Sequence, residues 1–477
     1  MLFNSMQFVF FLPVVIVFFY ALPGKYRNIM LLAASYYFYM CWKAEYLVLI
    51  VFSTLIDYYC GIQIHKQKTA GLKKLFLMAS LVSNLGLLFS FKYFNFFNES
   101  LRQVFHALNL FYDVPSFNVL LPVGISFYTF QTLSYSISIY KGQEVPERNF
   151  ITFALYVTFF PQLVAGPIER SQNLVPQLKK TQAFSYLNVS EGLRQVLWGF
   201  FKKLVVADRL AVYANTVFNN PGMHNGTTFL VANLFFAIQL YCDFSGYSDI
   251  AIGSARLMGI RLLENFRRPF FSKSIGELWR RWHMTLNNWF RDYVYIPMGG
   301  NRVSTPRWYT NILIVWLISG LWHGAGWNFV IWGGLNGLFI VMSIALAPVG
   351  DYFSRRLGIN KTTWWQTTLQ VAITFLLFYS TKFFFRANSA QDAFTIIHKV
   401  FAQQGAMFIG NPANFIYSIM AIVMLFSVEW LIEYRQEKIS LYLRDKWYAR
   451  HMVYALAIAI IFSIGVFDSS QFIYFQF

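Results

Sequence analysis

Apolar segments long enough to cross a bilayer recur from one end of this 477-residue chain to the other, and that recurrence constrains the fold more than any motif. A helix needs about 20 apolar residues to span the hydrocarbon core, where every backbone amide must find its partner within the chain. The runs are continuous rather than alternating, so the expectation is an all-α, polytopic transmembrane helical bundle in a multi-pass protein. Composition agrees, because 57% hydrophobic and 13% charged residues are far from the usage of a soluble domain.

Five spans read simply: Gln7 to Pro23, Asn28 to Trp42, Tyr46 to Ile62, Leu75 to Phe96 and Phe117 to Tyr140. Between them lie basic loops, with Lys25 and Arg27, four lysines from His65 to Lys74, then Lys141 to Arg148 and Arg170 to Lys180. Basic loops stay cytoplasmic, which places Met1 outside and explains the net charge of +18 by orientation; a nucleic-acid partner is not expected. The first segment lacks the basic n-region and cleavage site of a secretory signal and reads as a retained helix. Cys41, Cys60 and Cys242 have neither paired nor ligand spacing, so no disulfide and no metal site is expected.

The middle of the chain departs from this regularity. Phe150 to Ile168 carries Pro161, Gly166 and Pro167 and has basic loops on both sides, which suits a broken or re-entrant segment. Leu193 to Phe218 is interrupted by Lys202, Lys203, Asp208 and Arg209, and Phe229 to Ile252 by Asp243 and Asp249. Intramembrane charges normally face a bundle interior or a wet cavity, so this third reads as the working part. Ile312 to Pro348 is long enough for two helices with a break at Gly324 to Gly326; Trp364 to Phe385, Phe415 to Ile432 and Met452 to Phe467 follow. Ala390 to Gln404 reads as an interfacial amphipathic helix. No repeat or linker divides the chain, so one membrane domain over 1–477 is expected, with N-terminal helices (1–140), a catalytic core (150–345) and C-terminal helices (360–477).

Two histidines stand out. In Leu278 to Tyr293, Trp279, Trp282, Leu286, Trp289, Phe290 and Tyr293 fall on one helical stripe that includes His283, while Arg280, Arg281, Asn287, Asn288 and Arg291 take other faces. His323 lies at membrane depth in Trp322-His323-Gly324-Ala325-Gly326-Trp327, and Trp316, Ser319 and Gly320 precede it by seven, four and three residues, on its own face. Gly320 and Gly324 form a small-xxx-small pair that lets a second helix approach. Neutral imidazole suits removal of a hydroxyl proton near pH 7, so His323 is the candidate base for acyl transfer, with His283 orienting or stabilising if the two come near. The competing interpretation is that His323 only bonds packed helices together. Asp243, Ser245, Tyr247 and Asp249 make a polar knot in which structural pairing with nearby arginines is favoured over a proton or ion path. Dense basic residues from Arg256 to Arg307 read either as positive-inside loop or as an entrance that draws a phosphate-bearing donor.

PQLVAGPIER (Pro161 to Arg170), YCDFSGYSDIAIG (Tyr241 to Gly253), LWRRWHMTLNNWFRDYVYIPMGGNR (Leu278 to Arg302) and GLWHGAGWNFVIWG (Gly320 to Gly333) together resemble the membrane-bound O-acyltransferase family. Their order, the opening MLFNSMQFVFFLP and the closing FIYFQF resemble its bacterial alginate O-acetylation branch, so the likeness covers nearly the whole chain. The resemblance implies a helical core around a central tunnel, with the family histidine at His323 and its upstream polar partner at His283. Trp279, Trp282, Arg280, Arg281, Asn287, Trp316, Ser319, Trp322, Trp327, Asp243, Ser245 and Tyr247 are the candidates to line the donor path. It also implies acetyl-CoA as cytoplasmic donor with no permanently bound cofactor, a polysaccharide acceptor, an extracytoplasmic acetyltransferase partner and residence in the bacterial inner membrane. Other relatives move D-alanine from a carrier protein to cell-envelope polymers. Readings of another class are a solute or ion transporter built on Asp243 and Asp249, and a scaffold that does no chemistry.

Overall fold

A computed structural model describes residues 1–117, 120–164, 166–356, 358 and 363–467. No β-strand occurs among the described residues, and seven of their helices are long and apolar enough to cross a membrane. The protein is therefore an all-α, multi-pass membrane protein. Its packing forms two compact units, Met1–Val196 with Ile250–Leu263, and Leu197–Asp249 with Glu264–Phe477.

The first unit is organised around the helix Ile125–Tyr140, of which nearly every side chain is buried. The apolar pattern predicts this span from Phe117, but helix begins only at Ile125; residues 118–119 lie outside the described set. Pro122 and Gly124 explain the late start. Gly124 has φ 76°, and a Cβ there would lie 2.7 Å from the carbonyl oxygen of Leu163, so glycine is required twice over. Hydroxyls help so polar a helix to be buried: Thr132 and Ser134 donate to the carbonyls of Thr129 and Gln131 at 3.2 and 2.7 Å, and Ser136 reaches Asp57 Oδ1 at 3.5 Å. Asp57, fully buried on the helix Leu47–Lys66, is held by Ser80 Oγ at 2.5 Å and by Asn84 Nδ2 at 2.9 and 3.0 Å. The segment from Phe150 is indeed broken. Asn149 caps Phe150–Thr158, the chain turns at Phe159, and a single turn Phe160–Leu163 follows. Beyond it Glu169 is buried, accepting from Asn173 Nδ2 at 2.6 Å and from the Leu263 amide. Burial pushes its carboxyl up to about 7.

The second unit begins at Leu197, near the end of the helix Tyr186–Phe200, which runs into a π-helical stretch, Phe201–Ala207, before Asp208–Phe218. The wide turn carries Lys202 and Lys203 inward toward Gly226–Leu257, which stays helical through Gly246. Lys203 Nζ lies 2.7 Å from both Asp208 and Asp243, and Lys202 pairs with Asp249 and donates to Ser245 Oγ at 2.9 Å. The partners expected for Asp243 and Asp249 were arginines; they are the two lysines, because the π stretch brings these along the facing helix. The structural pairing favoured for the two aspartates is thus present, with lysine as the partner.

Thr305–His323 and Trp327–Ala345 pack tightly around the predicted glycine break. A Cβ on Gly320 would sit 2.3 Å from the Phe329 carbonyl oxygen, and one on Gly333 2.3 Å from that of Trp316. Backbone therefore meets backbone at this crossing. Gly324 is closed over by the ring of Phe329. Further on, Ser389 caps Ala390–Ala402, close to the predicted amphipathic helix, and Pro412–Asp445 and Trp447–Ile464 complete the described chain. The closing FIYFQF lies outside the described residues.

Candidate active site

Leu278 to Tyr293 is not the single striped helix its periodicity predicts. Ile275–Arg281 ends, Trp282 is extended, His283 turns left-handed at φ 46° and ψ 52°, and Met284–Phe290 begins anew. A left-handed non-glycine residue costs roughly 1–2 kcal/mol. Tertiary hydrogen bonds offset it. The amide of Met284, an open donor at the new helix start, reaches the Asn265 carbonyl at 2.9 Å, and that of Thr285 reaches Asn265 Oδ1 at 3.4 Å. At the other side of the break, Asn287 Nδ2 donates to the carbonyls of Trp279 and Trp282 at 2.6 and 2.7 Å.

The break aims the His283 ring into the unit. Its Nδ1 lies 3.0 Å from Asn265 Oδ1, which also accepts from Thr285 Oγ1 at 3.0 Å, while Asn265 Nδ2 donates to Ser248 Oγ at 3.2 Å. Because the Thr285 amide can only donate, the Asn265 oxygen is oriented, and Nδ1 of His283 must carry the proton. Phe244 meets the ring edge-on at 4.6 Å, and Phe266 and Trp322 stand at 6.2 and 5.8 Å. Burial first, and the neighbouring His323 second, hold this imidazole well below its usual range, so it is neutral at pH 7.

His323 is the last residue of its helix and 5% exposed. Its Nδ1 stands 2.7 Å from the Ser319 carbonyl oxygen. A carbonyl only accepts, so the proton sits on Nδ1 and Nε2 is the basic nitrogen. Trp322 packs on His323 at 4.9 Å as well as on His283, so the two imidazoles share one indole neighbour. Trp332 and Phe385 complete the walls around His323 at 4.8 and 5.6 Å.

A cavity of about 540 Å³ opens beside this helix, lined by Trp279, Arg280, Asn287, Arg291, Trp316 and Ser319 among others. Of the other candidates, Trp282 is buried against Phe266 and Phe378, and Arg281 bonds Glu433 at 2.8 Å and Glu277 at 2.7 Å rather than lining the cavity. Trp327 is 54% exposed at the start of its helix. Asp243, Ser245 and Tyr247 belong to the lysine cluster, with Lys203 Nζ 5.4 Å from the Tyr247 ring. Asn265, Trp332 and Phe385 escaped sequence reasoning. An asparagine in a loop carries no periodic signal, and the two rings lie in ordinary apolar runs.

A buried helix-end imidazole, a second imidazole that shares its indole neighbour and a cavity beside the same helix thus lie together in this unit. The profile of the MBOAT, membrane-bound O-acyltransferase, family matches residues 40–384. The chain belongs to the membrane-bound O-acyltransferase family and is an O-acyltransferase. It is 39% identical over 407 residues to a protein of Pseudomonas aeruginosa named as a probable alginate O-acetylase AlgI, covering 84% of this chain and 75% of that one. It is 33% identical over 429 residues to a peptidoglycan O-acetyltransferase of Helicobacter pylori, covering 83% and 79%. A teichoic acid D-alanyltransferase of Bacillus subtilis is more distant, 28% identical over 280 residues, covering 55% and 67%.

Proposed function

We propose that this protein moves an acetyl group from cytoplasmic acetyl-CoA to hydroxyls of an extracytoplasmic polysaccharide, in alginate-type O-acetylation at the bacterial inner membrane, with His323 as general base. The observation that carries the reading is the Nδ1 contact of His323 with the Ser319 carbonyl, which makes Nε2 the basic nitrogen. In the proposed step the hydroxyl oxygen bonds to the acetyl carbon as its proton passes to Nε2. The tetrahedral adduct then breaks its C–S bond, and the imidazolium returns the proton to the leaving thiolate. His283, fixed by Asn265, orients a polar atom of the reacting group.

The relatives' names supply the acetyl group and the polymer class. The cavity supports a thioester donor, since Arg280 and Arg291 in its lining suit phosphates and Ser319, also in its lining, holds His323 Nδ1 through its carbonyl. Polymer choice belongs to an extracytoplasmic acetyltransferase partner in this reading, and transfer is direct, because none of Cys41, Cys60 and Cys242 lines the cavity. The test is transfer of radiolabelled acetyl from acetyl-CoA by protein in liposomes, with partner or polymer supplied. His323→Ala is expected to stay folded and lose roughly 10²- to 10⁴-fold in rate. Wild-type transfer by the folded variant refutes the base assignment, and transfer only from carrier-protein thioesters refutes the donor.

A further inference from the structure

Lys382 plays no part in the transfer chemistry described so far. It opens the helix Lys382–Arg386, is 0% exposed, and among the described residues its Nζ has no hydrogen-bond partner and no carboxylate in ion-pair contact. Five aromatic rings surround it instead. Nζ lies 3.8 Å from the ring centre of Phe378, 5.1 Å from Trp332, 5.3 Å from Phe385, 5.8 Å from Trp282 and 5.9 Å from Trp279. Trp332 and Phe385 are the same rings that wall His323, and Trp279 also lines the 540 Å³ cavity. The lysine thus stands one ring away from both the imidazole and the donor path.

Packing alone does not account for it. A buried ammonium is strongly disfavoured unless an anion pairs with it, and the ring faces offset only part of that penalty. Methionine would fill much the same space without it. The lysine is therefore a candidate for a part in the chemistry. It does not itself carry the acyl group: acetylated on Nζ it would be an amide, more stable than either thioester or ester, and the group would be stranded. What remains is the role of an N–H donor.

We propose that Lys382 is a catalytic residue of the acyl transfer, its Nζ donating a hydrogen bond to the acyl oxygen as that oxygen takes up charge in the tetrahedral adduct. The proton stays on nitrogen throughout. Attack of the hydroxyl on the carbonyl carbon sends the π electrons to oxygen beside Nζ, and their return expels the thiolate. The aromatic cage holds the amine in place and keeps water off it; Trp332 or Phe385, the rings it shares with His323, turns aside to admit the acyl oxygen, and the bond forms in a dry site where it is strongest.

The proposal rests on His323 as the centre of transfer, so both residues are tested in one liposome assay with radiolabelled acetyl-CoA. Lys382→Met is expected to melt at or above the wild-type temperature while kcat falls about 100-fold or more and the donor KM changes little. A purely structural cation would give the reverse, a lower melting temperature with kcat within about threefold of wild type, and that result overturns the proposal. Lys382→Ala leaves a slot for a small amine. Propylamine is expected to restore at least about tenfold of its lost rate where propanol restores none, and equal responses to the two also overturn the proposal. If His323→Ala transfers at the wild-type rate, it is the site reading that fails. If His323→Ala is inactive and Lys382→Met is not impaired, only the lysine role fails.

Discussion

The left-handed backbone at His283 separates what the residue does for the fold from what it does for chemistry. His283→Ala keeps the strained turn and removes the ring. The lost hydrogen bond to Asn265 is worth about 1 kcal/mol and the lost contacts with Phe244, Phe266 and Trp322 about 2, so the variant should be less stable by roughly 3 kcal/mol. His283→Gly loses the same ring but sheds the roughly 1–2 kcal/mol of left-handed strain, at an entropic cost of roughly 0.5–1. It should therefore exceed His283→Ala by roughly 0.5–1 kcal/mol, although it is the more drastic truncation. His283→Asn, which tolerates the left-handed region, should exceed both. Thermal unfolding of the detergent-purified proteins measures the order, and acyl transfer should stay low in all three. A glycine variant no more stable than the alanine variant would refute a left-handed residue 283, and with it the aim of the ring.

Three further outcomes test the framework. Lys203→Met strands two buried carboxylates and should destabilise by about 3–5 kcal/mol, with most of the loss recovered when Asp208→Asn and Asp243→Asn are added; thermal unfolding of wild type, the single and the triple variant checks it. Gly333→Ala pushes a methyl against the Trp316 carbonyl and should cost about 1–3 kcal/mol together with much of the transfer rate, since the same helix carries His323; a variant of wild-type stability and rate contradicts the close crossing. Glu169 has its folded-state carboxyl raised from 4.5 to about 7, so the unfolded chain releases the proton first and stability is lost as pH rises between those values. Glu169→Gln should gain on wild type by up to about 3 kcal/mol over that interval, read by unfolding at pH 4.5 and pH 8.

What the sequence made legible was whatever depends on local pattern. The apolar runs become helices, the Gly324–Gly326 break falls between His323 and Trp327, and the prolines after Phe150 interrupt their segment. Periodicity failed where distant partners outweigh local preference. The aromatic stripe from Leu278 satisfies one straight helix, yet Asn265, 18 positions before His283, draws the backbone amides of Met284 and Thr285 to itself and bends the chain. Charge partners were hidden for a related reason: whether Asp243 meets a lysine or an arginine depends on a π turn that has no sequence signature. Lys382 could have been found, because a lysine inside the Trp364 to Phe385 run meets the same criterion that singled out Lys202 and Lys203.

In the proposed reaction the ring of indoles and phenyls around the two imidazoles would also set how economically the enzyme uses its donor. His283 and His323 are 1% and 5% exposed, with Phe244, Trp322, Trp332 and Phe385 filling the space that solvent would take. An activated acyl group brought to such a place is shielded from hydrolysis, and its lifetime there is governed by the arrival of a hydroxyl. The loaded protein can then wait. Acyl groups consumed should match esters made even when acceptor is scarce, and enlarging the enclosure by truncating Trp332 should appear first as leakage to water, before any fall in the rate of donor consumption.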